Sequence, residues 1–196
     1  MTTRDRIVEA AAGVMETQGL ARATTKEIAR AAHLSEAALY KHFRDKEEIF
    51  LTVLREQLPP FVETVKDLPA RAGTATVEAN LADLARVALP FYERTIPLSA
   101  ALFAESELLL RHRNAVLEAG GGPHHGNRLV AEYLTAERDL GRLAPEADPA
   151  AAAMALLGAC FQRAFLRRFV GPEAVAGDDG AFAEDLARTL ARGLSA

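Results

Sequence analysis

The basic side chains of this sequence are concentrated in one short stretch near its N-terminus. Between residues 22 and 46, six lysines and arginines stand against three acidic residues, whereas the whole chain of 196 residues has a formal net charge of −4. The six basic residues are Arg22, Lys26, Arg30, Lys41, Arg44 and Lys46. Lysine and arginine bind nucleic-acid phosphates, so this segregation is typical of a DNA-reading head on an acidic body. The negative total argues against a protein that coats nucleic acid without selectivity.

The stretch TTKEIARAAHLSEAALYKHFRDK, residues 24–46, has the local pattern of a helix-turn-helix. Thr24 with Glu27 three residues later forms a capping box, which predicts the start of a short helix. Ser35 predicts the N-cap of a second helix that runs from Glu36 to Phe43. Small residues would let the two helices cross closely at a steep angle, as this motif requires. These small residues are Ala31, Ala32, Ala37 and Ala38.

The second helix of such a motif lies in the DNA major groove with its first residues toward the bases. Its exposed candidates are Ser35, Glu36, Ala37, Tyr40, Lys41 and His42. Among them, Glu36 can accept from a cytosine amino group, Ala37 can touch a thymine methyl, and Lys41 can reach guanine. Contacts to the DNA backbone position a protein without reading sequence. The candidates for those contacts are Thr24, Thr25, Tyr40, His42 and Lys46, with partial core packing as the alternative for Tyr40.

The sequence lacks the patterns on which enzymes and metal sites depend. No Gly-rich phosphate loop, nucleophile elbow or pair of catalytic carboxylates occurs in it. His124 and His125 are adjacent in a Gly-rich segment, but no metal-ligand pair has i, i+4 spacing and Cys160 falls in an apolar helix. We therefore predict no enzymatic activity, no metal and no cofactor. An all-helical enzyme would need an acid–base or metal cluster, and a screen for turnover would reveal one.

The composition favours an all-α fold. Alanine and leucine dominate the aliphatic residues, and no convincing strand or hairpin pattern occurs. We expect about nine helices, in a three-helix DNA-binding domain at residues 1–50 and an effector-binding and dimerisation domain at 51–196. The single cysteine excludes an intrachain disulfide and fits a reducing compartment. The longest uncharged run, 149–162, is shorter than the roughly 18 residues of a membrane span, so we expect a soluble cytoplasmic protein.

Prolines, glycines and capping residues predict where the helices begin and end. Asp45, Asp148 and either Asp178 or Asp179 are predicted N-caps. Pro59-Pro60 should kink or break the fourth helix near Leu58, and this break is a hypothesised hinge. We also expect a loop over 68–76, a bend at Pro90, a helix that starts at Pro97 and runs from Leu98 to about Leu117, and a flexible loop over 120–126. The last two helices are strongly apolar, which suggests a four-helix bundle in a symmetric dimer.

The chain resembles the tetracycline-repressor (TetR) family of bacterial transcriptional regulators. The resemblance lies in the I-V-E-A-A opening, Gly19, T-T-K-E-I-A-R-A-A, and L-S-E-A-A-L-Y-K-H-F-R-D-K-E-E-I-F, between Ile7 and Phe50. It implies a three-helix DNA-binding head, a helical ligand-binding and dimerising body, and repression that a small effector relieves. One departure is His33 in the turn, where the family usually has glycine. If that backbone is left-handed, histidine is one of the more tolerant residues, at a cost of about 1 kcal/mol.

The residues that would bind an effector are less specific. The candidates are Phe61, Phe91, Tyr92, Phe103, Glu107, His112, Tyr133, Phe161 and Phe165, and ordinary core packing is the alternative for each aromatic residue. This mostly apolar set predicts a hydrophobic or amphipathic effector. The whole pattern thus predicts a homodimeric, ligand-responsive repressor that binds a palindromic operator. The alternative is a helical protein that binds a small molecule or partner without binding an operator.

Overall fold

The computed structural model describes residues 1–19, 23–56, 59–118, 122–175 and 177–195, and regular structure in this part of the chain is entirely helical. The α-helices are α1 (Thr3–Gln18), α2 (Thr25–Ala31), α3 (Glu36–Leu39), α4 (Lys46–Glu56), α5 (Pro59–Asp67), α6 (Val77–Ala104), α7 (Ser106–Glu118), α8 (Pro123–Asp139), α9 (Pro149–Phe169) and α10 (Asp179–Leu194). Two short 3₁₀ segments cover Leu68–Arg71 and Pro172–Ala174. The all-α prediction is confirmed. The described residues contain ten α-helical segments, against the prediction of about nine helices.

The chain divides into two compact units. The first comprises Met1–Pro59 with Arg94–Ala119, and the second comprises Pro60–Glu93 with Gly120–Ala196. Each unit has its own cluster of buried apolar side chains. The functional boundary between residues 50 and 51 stays a prediction.

The first unit is built around the packing of α1 on α2 and α4. Ile7, Ile28 and Phe50 are completely buried in its core. Leu39 and Phe43, which flank the exposed residues of the helix-turn-helix, are also buried there. Burying each such side chain stabilises the fold by about 1.5–3 kcal/mol, so these contacts fix the position of α3.

The second unit combines an apolar core with buried charge. Its core contains Leu84 and Leu156, both completely buried. Arg163 of α9 is only 6% exposed; its Nε donates to Asp179 Oδ1 at 2.8 Å, and its guanidinium lies 4.6 Å from the centre of the Phe182 ring. These contacts tie α9 to the first turn of α10.

The predicted N-caps are confirmed. Asp45 Oδ1 accepts from the Glu48 N–H at 2.6 Å, and Asp148 Oδ1 accepts from two N–H groups in the first turn of α9. At α10 the cap is Asp178, whose Oδ2 accepts from the Ala181 N–H at 3.0 Å. Each side chain satisfies backbone donors that a helix leaves unpaired at its start.

The prediction that a helix begins at Pro97 is wrong, because α6 continues through both Pro90 and Pro97 as far as Ala104. A proline inside a helix leaves the carbonyl four residues earlier without its N–H donor. For Pro97 that carbonyl belongs to Glu93, and Arg168 Nε of α9 donates to it at 2.9 Å. Arg167 Nε also lies 3.0 Å from the Glu93 carboxylate. Helix α6 therefore continues past Pro97, and the helical run is interrupted at Glu105, before α7.

Other predicted boundaries also differ from the structure. The segment 120–126 is not a loop throughout, because α8 begins at Pro123, a favourable first residue of a helix, and includes both histidines. Helix α3 has four residues and continues as turns, so it is shorter than the predicted Glu36–Phe43. The predicted loop 68–76 begins with a 3₁₀ turn. The predicted break near Leu58 lies outside the described residues.

Candidate functional site

The capping box at Thr24 fixes the start of α2. Thr24 Oγ1 accepts from the Glu27 N–H at 3.2 Å, while the Thr24 N–H donates to Glu27 Oε2 at 3.1 Å. The Thr24 hydroxyl also donates to Glu27 Oε2, at 2.9 Å. These hydrogen bonds lower the pKa of Glu27, because they stabilise its charged form. The predicted capping box is confirmed.

The turn between α2 and α3 has left-handed backbone at His33, with φ of +56°. The His33 N–H donates to the Arg30 carbonyl at 3.1 Å, and the Leu34 N–H donates to the Ala29 carbonyl at 2.8 Å. This pair of bonds is a Schellman motif, which usually has glycine at the left-handed position. From α1, Arg6 Nη2 donates to the Ala32 carbonyl at 2.6 Å and thereby braces the turn, a role that sequence reasoning missed.

The first residues of α3 face solvent. Ser35 caps the helix by accepting from the Ala38 N–H at 3.2 Å. All six candidates for the groove-facing surface are exposed, namely Ser35, Glu36, Ala37, Tyr40, Lys41 and His42. Tyr40 is 51% exposed, whereas Leu39 beside it is buried. The structure thus places these side chains where they are accessible, and their contacts with DNA stay a prediction.

An open cleft brings the start of α2 close to the residues that follow α3. It is lined by Ala23, Thr24, Thr25, Tyr40, Arg44, Asp45 and Lys46. Four of the five predicted backbone-contacting residues line it, and His42 does not. Arg44 is an addition that sequence reasoning did not select; its Nε lies 3.2 Å from Glu48 Oε2. Hydroxyl groups and cations on one surface are suited to bind phosphate oxygens.

Three side chains of the helix-turn-helix form a hydrogen-bonded chain. Tyr40 Oη donates to Thr25 Oγ1 at 3.4 Å, and the Thr25 hydroxyl donates to Glu36 Oε1 at 2.5 Å. The chain links the first residue of α2 to the first residue of α3. It restrains the carboxylate that the sequence assigned to base recognition.

Five of the nine effector candidates form a continuous aromatic row in the second unit. Phe61 stacks on Phe91 with ring centroids 4.4 Å apart, and Phe91 contacts the edge of Tyr92 at 5.1 Å. Tyr92 in turn meets Phe161 at 5.5 Å, and Phe161 stacks on Phe165 at 6.4 Å. Phe169, which sequence reasoning did not select, extends the row from Phe165 at 5.2 Å. Burial raises the pKa of Tyr92 to about 12.

The other four effector candidates are not part of this row. Tyr133 is completely buried, and its hydroxyl accepts from Asn80 Nδ2 at 3.0 Å. Phe103, Glu107 and His112 belong to the first unit. Phe103 is 76% exposed and Glu107 is exposed, while partial burial lowers the pKa of His112. Their roles in effector binding stay predictions.

Tyr133 belongs to a buried polar cluster in the second unit. Glu137, which is completely buried, accepts from the Gly73 N–H at 3.3 Å, and Arg142 Nε lies 3.2 Å from its second oxygen. Asn80 Nδ2 also donates to the Thr74 carbonyl at 3.1 Å. The cluster therefore holds the segment before α6 against α8.

Helix α9 has one buried and one exposed apolar face. Ala153, Leu156 and Cys160 are completely buried in the second unit. On the opposite face, four large apolar side chains at spacings of seven, four and four residues are exposed, namely Met154, Phe161, Phe165 and Phe169. By length and composition this helix could cross a membrane, but core helices of soluble proteins pass the same test, and 44% of its apolar window is buried. The exposed face is a candidate contact surface.

Among the described residues, no group of three histidine, cysteine or acidic side chains is arranged to hold a metal ion. His125 lies in the first turn of α8, where its Nδ1 is 3.0 Å from Arg128 Nη2. Cys160 is buried, and this burial raises the pKa of its thiol to about 12. A thiol in that state is a poor metal ligand and a poor nucleophile.

Two family models match the chain. Residues 7–53 match the model described as bacterial regulatory proteins, tetR family, and residues 79–181 match the model described as AefR-like transcriptional repressor, C-terminal domain. The second model alone covers more than half of the chain. The first match contains the helix-turn-helix and the second contains most of α6 to α9.

Similar proteins and structures agree with these matches. The A-factor receptor protein of Streptomyces griseus is 29% identical over an alignment of 158 residues, which covers 73% of this chain but only 47% of that protein. The matched region thus spans about half the length of this relative. A tetR-family regulator structure from Mesorhizobium loti has a TM-score of 0.73 at 22% identity, covering 97% of this chain and 94% of that one. The structure of FadR from Bacillus subtilis with stearoyl-CoA has a TM-score of 0.72 at 18% identity, covering 97% and 98%.

Proposed function

Because this chain belongs to the tetR family of bacterial regulatory proteins, we propose that it is a soluble cytoplasmic repressor that binds a palindromic operator as a homodimer. Binding of a small effector releases it from the operator. The observation that carries this proposal is the head surface, where Thr24, Tyr40 and Lys46 line one cleft beside the exposed start of α3. That arrangement supports phosphate contacts next to a helix that reads bases.

Operator binding is tested by selecting DNA from a random pool with the purified full chain and measuring affinity against salt concentration. We expect a palindrome with two half-sites about one helical turn apart. If Lys46 binds a phosphate, Lys46→Ala should lower the log–log salt slope by about one. The matched control is Lys66→Ala, an exposed lysine of α5, which should leave the slope unchanged. Effector binding without any selected DNA would favour a helical small-molecule or partner-binding protein instead.

The dimer interface is proposed to lie on α9 and α10. The exposed stripe of Met154, Phe161, Phe165 and Phe169 supports this, because an apolar face of this kind is stabilised by burial against a second copy. Sedimentation velocity should give a dimer for the parent protein and a shift to monomer for Met154→Glu. Asn114→Glu, at an exposed position on α7, introduces the same charge and should remain dimeric. Equal sedimentation of both variants would contradict the interface.

The effector is proposed to be a hydrophobic or amphipathic molecule that binds beside the aromatic row in the second unit. The row supports this because aromatic rings supply a large apolar contact area, while the Tyr92 hydroxyl can orient a polar group. The stearoyl-CoA in the FadR structure is an amphipathic ligand of a similar fold. Mass spectrometry of the protein purified from cells should find such a molecule bound.

A pair of variants tests whether the effector binds at the aromatic row. Phe91→Ala should weaken effector-induced release from DNA by roughly tenfold, because it removes one ring of the row. Phe103→Ala removes a ring outside the row and provides the comparison. If only Phe103→Ala weakened the response, the site would lie elsewhere. Release by a polar sugar alone would contradict the proposed effector class.

A further inference from the structure

We propose that Glu36 selects one cytosine in each operator half-site, and that Thr25 is the positioning residue that aims its carboxylate. This inference rests on the proposed operator binding, and it names the base that is recognised and the residue that positions the recognising side chain. The hydrogen bonds from Tyr40 to Thr25 and from Thr25 to Glu36 carry this proposal.

The directions of these hydrogen bonds leave one oxygen of Glu36 available. The Thr25 hydroxyl has a single proton, which it donates to Glu36 Oε1, and its oxygen accepts from the Tyr40 phenol. Within the described part of the chain, no other side chain or backbone group donates to the Glu36 carboxylate. Glu36 is exposed at the start of α3. Its Oε2 is therefore free to accept from a group in the major groove while Oε1 is held.

A carboxylate in this position can only accept hydrogen bonds, so it discriminates strongly among base edges. Cytosine presents an amino donor in the major groove, whereas guanine and thymine present acceptors that would repel the charge. Adenine presents an amino group next to the N7 acceptor, which is unfavourable for an anion that cannot donate. Glu36 therefore favours cytosine on the strand it faces.

The restraint from Thr25 turns this preference into specificity. A free glutamate side chain can rotate away from an unfavourable base and lose little, but a carboxylate held through Oε1 cannot do so without breaking its hydrogen bond. At a base other than cytosine, the Glu36 carboxylate is then either repelled by an acceptor or must break its hydrogen bond to Thr25, and both outcomes weaken binding. The Thr25 hydroxyl donates its single proton to Glu36 Oε1 and so holds this carboxylate in place. This assigns Thr25 to positioning, in place of the backbone contact predicted from sequence.

The test compares base preferences of the full chain and four variants by selection from random DNA, followed by fluorescence anisotropy on duplexes that differ at one base pair. We expect the parent protein to prefer cytosine at one position of each half-site by about tenfold or more. Glu36→Gln should change that preference to adenine, because an amide can both donate to N7 and accept from N6. Thr25→Val should reduce the cytosine preference several-fold and leave the other positions unchanged.

Two further variants separate positioning from general destabilisation. Thr25→Ser retains the hydroxyl and should restore the cytosine preference. Thr17→Val removes a hydroxyl of α1 that donates to the Gly13 and Val14 carbonyls of its own helix, and it should leave every base preference unchanged.

The outcomes are distinguishable. If no DNA is enriched by the parent protein, the proposed operator binding fails and this inference fails with it. If a palindrome is enriched but Glu36→Gln changes no base preference, the assignment of Glu36 is overturned while operator binding stands. If Thr25→Val keeps the full cytosine preference, the positioning role of Thr25 is overturned.

Discussion

Removing the charge of Asp179 should destabilise the second unit more than removing any exposed carboxylate nearby. Asp179 Oδ1 accepts from Arg163 Nε at 2.8 Å, and both of its oxygens accept from Arg167 Nη1, at 2.7 and 2.8 Å. Arg163 is only 6% exposed, so its guanidinium cannot recover these interactions from water. In Asp179→Asn this buried cation would lose its interaction with the charge of the Asp179 carboxylate.

The size of the effect follows from how far the pair is buried. Breaking a fully buried ion pair costs about 3–5 kcal/mol, whereas an exposed pair contributes about 0–1 kcal/mol. The Asp179 side chain is 36% exposed, and Arg163 keeps its bond to the Gly177 carbonyl. We therefore expect a loss of about 2 kcal/mol, to which the lost charge in the first turn of α10 adds a few tenths. For a chain of this length that lowers the Tm by about 4–8 °C.

The assay is thermal unfolding followed by circular dichroism at one fixed protein concentration, since assembly makes Tm depend on concentration. Asp185→Asn is the matched control on the same helix, because Asp185 pairs with Arg188 at 2.7 Å but is 71% exposed. It should change the free energy of unfolding by at most about 1 kcal/mol. Equal Tm shifts for the two variants would refute the assignment of a buried, stabilising pair to Asp179.

Three further predictions concern the head and the single thiol. His33→Gly should raise the free energy of unfolding by up to about 1 kcal/mol, because glycine adopts left-handed backbone without strain; a lower Tm than the parent protein would contradict this. Glu27 has a lowered pKa in the folded protein, so its contribution is present above its unfolded pKa and is lost as the pH falls through the folded pKa. Glu27→Gln should accordingly flatten the acid limb of stability measured by thermal melts below pH 5, and an unchanged slope would count against the capping box. Cys160, with a pKa of about 12, should not react with a thiol reagent at pH 8 until the protein is unfolded in denaturant; rapid reaction of the native protein would show that the site opens.

Local chemistry made parts of this fold predictable from the sequence. Thr24, Ser35 and Asp148 each bond to backbone groups two or three residues away, so a short stretch of sequence contains the whole interaction. Such features depend on neighbours along the chain and not on the tertiary fold.

The helix boundary at Pro97 was predicted wrongly because it depends on a residue that is distant in the sequence. Whether a helix continues through a proline depends on which group donates a hydrogen bond to the carbonyl that the proline leaves unpaired. For Pro97 that carbonyl belongs to Glu93, and the donor is Arg168, 75 residues later in the sequence. Parts of the candidate site could not be predicted from sequence for the same reason. The aromatic residues could be chosen by type, but their order in one row depends on how α5, α6 and α9 pack. The bond between Thr25 and Glu36 depends on side-chain conformations that no periodicity encodes.

The left-handed turn at His33 also limits how this head can change by mutation. A single nucleotide change converts a histidine codon to one for asparagine or aspartate, and both residues tolerate left-handed backbone. Glycine, the least strained choice, needs two changes in the same codon. Other single changes give leucine, proline, arginine, glutamine or tyrosine, whose side chains are less tolerant of this backbone. The genetic code thus leaves two short polar residues as the accessible substitutions at this turn, which keeps the geometry between α2 and α3 while the exposed residues of α3 are free to vary.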